Sequence, residues 1–213
     1  MSDMERLFEN NRAWAIGKLK ADPGFFDRLT AQQNPDFLWI GCADSRVPAN
    51  EICGLDPGEL FVHRNVANLV HPADMNCLAV LQYAVEFLKV KHIIVTGHYG
   101  CGGVRAAMRP EQLGLIDHWL RPIRDIYEKN RDDLDAIIDE YKRLNLMCEL
   151  NVREQVINVA KTTIVQNAWS RGQPLKVHGW VYGISNGLVR DMECTVDGPE
   201  RLEAIHRTLP SKP

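Results

Sequence analysis

Short apolar runs alternate along the chain with longer stretches in which apolar residues recur every three or four positions. Residues 2 to about 20 set Leu7, Phe8, Trp14, Ile16 and Leu19 among charges and predict an amphipathic helix. Asp22-Pro23 predicts the cap and first position of a second short helix carrying Phe25, Phe26 and Leu29. Gln32-Gln33-Asn34-Pro35 reads as a turn, and a strand follows over about 37 to 42. Pro48 opens a short helix to about 53, Asp56-Pro57-Gly58 turns the chain, and Glu59 to His63 reads as a second strand leading into a loop at 64–68. Asp74 caps a strong helix over about 75 to 89, with Leu78, Leu81, Val85 and Leu88 on one face. A third strand covers His92 to Thr96, and a helix covers 103 to 108. Residues 113 to 169 are helical in pattern and rich in charge, with breaks expected near Arg121-Pro122 and Asn145; the charges read as a solvated face. Leu175 to Tyr182 and Leu188 to Val196 read as two strands joined by a hairpin turn, 199 to 206 as a closing helix, and the end as a polar tail.

Strands alternating with helices imply a parallel sheet with right-handed crossovers, and the short last turn implies an antiparallel final strand. The expected fold is α/β: a central, mostly parallel sheet of four strands plus an edge strand, flanked by helices, with an N-terminal helical arm. No repeat or linker breaks the pattern, so residues 1–213 read as one domain, with 1–34 an arm that packs on a neighbouring subunit or folds back on its own core.

Composition narrows the class. A net charge of −3 implies no broad basic face for nucleic acid. The start, Met1-Ser2-Asp3-Met4-Glu5, lacks the basic-then-apolar pattern of a signal peptide, and no apolar run approaches a membrane span. The six cysteines do not form a disulfide framework; Cys53, Cys77, Cys148 and Cys194 sit in apolar or helical settings and read as buried free thiols. A reducing cytoplasm fits this usage.

The candidate chemistry lies where two strands end. Cys42-Ala43-Asp44-Ser45-Arg46 follows the first strand, and Gly97-His98-Tyr99-Gly100-Cys101-Gly102-Gly103 follows the third. Ligands bind outside the carboxyl ends of parallel strands, so adjacent ends would bring Cys42, Asp44, His98 and Cys101 together. Thiolate, imidazole and carboxylate are zinc ligands, and soft sulfur favours zinc over magnesium or calcium. Gly102 and Gly103 offer N–H groups to the Cys101 sulfur or to an anion. Four protein ligands would close a structural zinc. Arg46 suggests otherwise. Two residues beyond Asp44 on extended chain, it can hold that carboxylate as a bidentate pair and leave zinc on Cys42, His98 and Cys101 with an open position. Open zinc generates hydroxide at mild pH, and two thiolates should shift activity towards alkaline pH.

These two motifs resemble the paired signatures of the β-class carbonic anhydrases. Pro57 to Asn68, Gln82-Tyr83-Ala84-Val85 and His178 to Gly183 also resemble the bacterial members, of the type II-like group. The resemblance implies reversible hydration of carbon dioxide to bicarbonate and a proton, with one zinc per subunit on Cys42, His98 and Cys101. Zinc-bound hydroxide would be the nucleophile. Asp44 would be a fourth ligand in a closed state and would exchange onto Arg46. It implies that Gln33, Phe61, Tyr83 and Gly102 line the substrate pocket, with Phe61 and Tyr83 from the neighbouring subunit, and hence a homodimer or a dimer of dimers. Trp39, Arg64 and Tyr182 match a second pocket where bicarbonate inhibits some bacterial members; there Asn50, beside Glu51, replaces an expected acid. A carbon disulfide or carbonyl sulfide hydrolase, or a non-catalytic bicarbonate sensor, would share this framework.

Overall fold

The computed structural model describes residues 2–31 and 33–208. Gln32 of the expected turn and residues 209–213 of the expected tail lie outside them. The chain divides at Asn34 into two units, each with its own internal packing.

The first unit is helical. α1 (Asp3–Ala21) starts at a capping box in which Ser2 Oγ accepts from Glu5 N and Glu5 Oε2 accepts from Ser2 N, at 3.3 and 2.7 Å. Asp22 ends α1, and α2 (Phe25–Ala31) begins past Pro23 rather than at it. Trp14 packs edge-on against Phe25 and Phe26 at 6.4 and 5.8 Å. Leu7, Phe8, Ile16 and Leu19 stay exposed, so the apolar pattern of α1 is not used to bury a core.

The second unit is built on a five-stranded sheet of order β2-β1-β3-β4-β5. β1 (Phe37–Cys42), β2 (Leu60–Asn65), β3 (His92–His98) and β4 (Lys176–Gly183) are parallel, and β5 (Leu188–Asp191) runs antiparallel on the edge. β1 and β3 are buried on both faces, which is why they read as continuous apolar runs rather than alternations. Leu38, Ile40, Ile93 and Val95 face a core shared with α4 (Met75–Gln82), α8 (Glu140–Lys161) and α9 (Thr163–Ser170). Trp39 faces the other side, among Val47, Ala49 of α3 (Ala49–Cys53), Leu60, Trp180 and Tyr182. Each fully buried Leu or Ile side chain is worth about 1.5–3 kcal/mol.

Asp74 caps α4 as expected, its Oδ1 accepting from Asn76 N and Cys77 N at 3.1 and 3.3 Å. The helix does not run to 89: at Tyr83–Phe87 it widens into a π-turn, with Leu88 N bonded to Tyr83 O at 3.0 Å. The expected breaks at Arg121-Pro122 and Asn145 do not occur. Pro122 lies inside α6 (Ile116–Lys129), and α8 passes through Asn145. Buried Leu120, Ile123 and Ile126 hold α6 on the core, and packing outweighs the one hydrogen bond that proline removes. A short α7 (Arg131–Asp135) joins them. The last strand is also shorter than expected; beyond Asp191, Met192 N bonds Gly179 O at 2.9 Å and Val196 bridges back to Val177, and the closing helix is two 3-10 turns.

Candidate active site

β1 and β3 are neighbours in register, Ile40 opposite Val95 and Gly41 opposite Thr96. Their carboxyl ends therefore deliver Cys42 and His98 side by side. Cys101 follows at the start of α5 (Gly102–Ala107). Cys42 Sγ and Cys101 Sγ lie 3.8 Å apart, and with a His98 ring nitrogen they form a buried trio within 4.8 Å of one another. Two thiolates held about 2.3 Å from one tetrahedral zinc would stand about 3.8 Å apart, so the sulfur pair has the separation that zinc needs. His98 Nδ1 is 3.2 Å from Tyr99 O, which leaves Nε2 as the metal-facing nitrogen; Nε2 is buried and has no hydrogen-bond partner among the described residues. A buried polar atom left without a partner is costly, and a cation would satisfy it. The Cys42 thiol is held below its ordinary range, first by the Cys101 thiol donating to it and then by His98, against the opposing effect of burial. Cys101 is pushed up by Cys42 and by burial.

Asp44 is turned away from this trio. Its Oδ1 accepts from Arg46 Nε at 2.9 Å and its Oδ2 from Arg46 Nη2 at 2.7 Å, and Arg46 N adds a third bond at 3.0 Å. The guanidinium holds the Asp44 carboxyl well below the usual carboxylate range. Its Oδ2 lies 3.7 Å from His98 Nε2.

The end of β2, expected as a plain loop, completes the floor. Beyond β2 the chain makes a 3-10 turn, Val66–Asn68, in which Ala67 and Asn68 take left-handed φ of 65° and 48°. The Ala67 N–H adds to the effects that hold the Cys42 thiol below its ordinary range. Asn65 clamps the turn by bonding both Leu69 N and Leu69 O, at 2.8 and 2.7 Å. Asn151 of α8 donates to Ala67 O at 3.0 Å and accepts from Gln155, which in turn accepts from Val70 N at 2.9 Å. A Cβ on Gly103 would meet Val66 Cγ1 at 2.9 Å and Ala67 Cβ at 3.1 Å, so glycine lets α5 lie against this turn. The second loop has its own brace: Tyr99 Oη donates to Glu149 Oε1 at 2.6 Å, and Arg190 on β5 donates to the same oxygen at 2.9 Å. Residues 113–169 are therefore not only a solvated face. Glu149, Asn151 and Gln155 turn inward, and the spacing of Asn151 and Gln155, four apart on one helix face, was the available signal. Cys148 is buried in one cluster with Cys42 and Cys101, its thiol pushed up to about 12 by burial and only partly offset by the Cys101 and Gly100 N–H groups.

The other expected site residues are more scattered. Gly102 is exposed at the start of α5. Phe61 and Tyr83 pack together at 5.8 Å, with Phe87 stacked on Tyr83 at 5.4 Å. Phe61 is opposite Leu38, four positions before Cys42 on the paired strands, or roughly 13 Å from it. Gln33 belongs to the first unit, is exposed, and follows α2. Trp39 and Tyr182 share one apolar cluster, while Arg64 spans the first loop, donating to Cys42 O at 2.9 Å and Asp44 O at 2.5 Å. Cys53 and Cys194 are half-buried rather than buried, and all six cysteines are unpaired.

A sequence profile of the carbonic anhydrase family matches residues 37–189. The chain belongs to the β-class carbonic anhydrases. A carbonic anhydrase of Emericella nidulans is 52% identical over 204 residues, covering 95% of this chain and 88% of that one. A Coccomyxa β-carbonic anhydrase, solved with acetazolamide, is 42% identical with a TM-score of 0.89, over 94% of this chain and 90% of the other. One of two β-carbonic anhydrases of the filamentous ascomycete Sordaria macrospora, described as tetrameric, is 39% identical with a TM-score of 0.87, over 91% and 98%. The enzyme is thus a carbonic anhydrase, and its reaction is the hydration of carbon dioxide. Two of these three relatives are fungal; the bacterial, type II-like placement rests on the motifs alone.

Proposed function

We propose that this carbonic anhydrase binds one zinc per subunit on Cys42, His98 and Cys101, and that Asp44 gates it by exchanging between the metal and Arg46. Bound zinc is a Lewis acid that lowers the pKa of water and so supplies the nucleophile. Everything else falls to the chain. His98 is oriented by its bond to Tyr99 O, Cys42 is steadied by the Ala67 N–H, and Arg46 keeps Asp44 ionised and off the ligand trio. The observation that carries the reading is this last one: Asp44 is doubly bonded to Arg46 while His98 Nε2, 3.7 Å away, has no partner among the described residues.

The substrate pocket is completed by Gly102, Gln33, and the Phe61–Tyr83 pair of a second copy. The distance of Phe61 from Cys42 along the strands supports supply from a neighbour, as do the exposed face of Tyr83 and the open edge of β2. The arm up to residue 34 covers that neighbour with its exposed Leu7, Phe8, Ile16 and Leu19, giving a homodimer or dimer of dimers in which residues 1–213 act as one domain per subunit. A type II-like second bicarbonate pocket at Trp39, Arg64 and Tyr182 is supported by the buried Trp39 Nε1, an N–H with no acceptor among the described residues. Arg64 would transmit its occupancy, since it grips the carbonyls of Cys42 and Asp44. Unpaired thiols suit the cytoplasm.

The deciding experiment is stopped-flow carbon dioxide hydration on zinc-quantified protein across mild acid to alkaline pH, with Arg46→Ala alongside. The parent should turn over increasingly towards alkaline pH. Arg46→Ala should keep its zinc and lose most turnover, because Asp44 then has no partner but the metal. Full activity in Arg46→Ala would refute the gate.

A further inference from the structure

Several arginines of the second unit are paired with a carboxylate: Arg46 with Asp44, Arg124 with Asp117, Arg190 with Glu149, Arg201 with Asp197. Arg105, Arg109 and Arg143 are among those that are not, and they lie together. None of the three makes a side-chain hydrogen bond or ion pair among the described residues, yet all three line one cavity of about 280 Å³ between α5 and α8. Tyr127 and Glu140 also line it. The Tyr127 hydroxyl is committed to Asp135, and Glu140 is the one carboxylate set against three guanidinium groups. A second cavity of similar size adjoins the same Arg105 and Arg109 and reaches Gly102, the residue after Cys101; Glu111 is its one acidic lining residue.

Three guanidinium groups against one carboxylate leave an excess of positive charge around the concavity, which a bound anion would offset. Arg143 is half-buried on α8, while Arg105 and Arg109 are exposed and line the same cavity. Guanidinium forks match the oxygens of a tetrahedral dianion in planar, bidentate fashion. The cavity volume suits a single phosphate group or a small phosphate ester rather than a nucleic acid or a peptide.

We propose that Arg105, Arg109 and Arg143 form a binding site for a phosphate dianion, free or carried on a small molecule, separate from the metal centre. The site lies at the far end of the helix that Cys101 opens, with Arg105 one turn from that cysteine. The proposal is independent of how Asp44 gates the metal.

The test is calorimetric titration of inorganic phosphate into the zinc-loaded, full-length enzyme, with ionic strength held constant by chloride. Arg143→Gln and Arg109→Gln are titrated in parallel. Saturable binding of one phosphate per subunit is expected in the parent, and each variant should bind at least about tenfold more weakly. Arg143→Gln should retain parental carbon dioxide hydration without phosphate, which shows that it folds and keeps its metal centre. Absence of saturable binding in the parent overturns the proposal. So does parental affinity in both variants, because the phosphate would then be on the metal or elsewhere. Glycerol 3-phosphate, titrated in the same way, separates a site for free phosphate from one that accepts an ester.

Discussion

Replacing Asn151 with alanine would measure what the buried amide ladder contributes to the metal site. Asn151 bonds Ala67 O and Gln155 Nε2, both at 3.0 Å, and Asn151, Gln155 and Ala67 are all essentially inaccessible to water. Alanine leaves one carbonyl and one amide N–H without these partners. Each buried group stranded in this way costs about 1–3 kcal/mol, which sets a total of about 2–6 kcal/mol. In a chain of this size 1 kcal/mol moves Tm by about 2–4 °C, so Tm should fall by roughly 4–24 °C. The effect should reach the metal. Ala67 holds a left-handed backbone that costs about 1–2 kcal/mol for a residue other than glycine. Freed from Asn151, the turn relaxes and its N–H leaves the Cys42 sulfur. Zinc should then pass to a competing chelator faster than in the parent. The assay is urea and thermal unfolding at one fixed protein concentration, since zinc and assembly both raise apparent stability, followed by zinc release. Adding Gln155→Leu should cost clearly less in the Asn151→Ala background than alone, because the two share a bond. A destabilisation under about 0.5 kcal/mol together with parental zinc release would refute the reasoning.

Three further outcomes follow from single contacts. Glu149→Gln removes the charge that anchors Tyr99 and Arg190, and such a partner beyond the ligands is worth about tenfold or more in metal affinity or activity; competition titration of zinc and stopped-flow hydration should both show the loss. Gly41→Ala would place a Cβ 2.1 Å from Trp39 Nε1, and because Trp39 is fully buried the clash should cost about 1–3 kcal/mol in urea unfolding. Burial pushes the Cys77 thiol up to about 12 from an ordinary 9.0. Its raised native value means that the unfolded chain gives up this proton from about pH 9 while the native one keeps it. Cys77 thus contributes stability that is whole below pH 9 and is lost as pH rises towards 12, at about 1.4 kcal/mol per pH unit. Cys77→Ala should flatten the fall of unfolding free energy between pH 9 and 10.5 by that slope, and equal slopes would refute the assignment.

The parts of this protein that were legible in its sequence are those set by local chemistry. The Cys-x-Asp-x-Arg and His-x-x-Cys spacings each follow an apolar run of strand-formers, so two ligand loops at strand ends could be inferred without coordinates. The capping of α4 by Asp74 is equally local, because the side chain bonds N–H groups two and three residues on. Long-range packing decided the rest. Pro122 and Asn145 read as breaks, but their helices continue because buried neighbours, Leu120 and Ile123 in α6 and Leu144 and Met147 in α8, hold them against distant parts of the chain. Tyr83 begins a π-turn that a 3.6-residue period does not register. Asn151, Gln155 and Glu149 look like solvated residues of a charged helix; they become the support of the metal loops only when α8 is laid across β3 and β4, 84 residues along the chain from the carbonyl that Asn151 holds. Polar side chains declare a role by their partners. When the partner is distant in sequence, only the tertiary structure brings the two together.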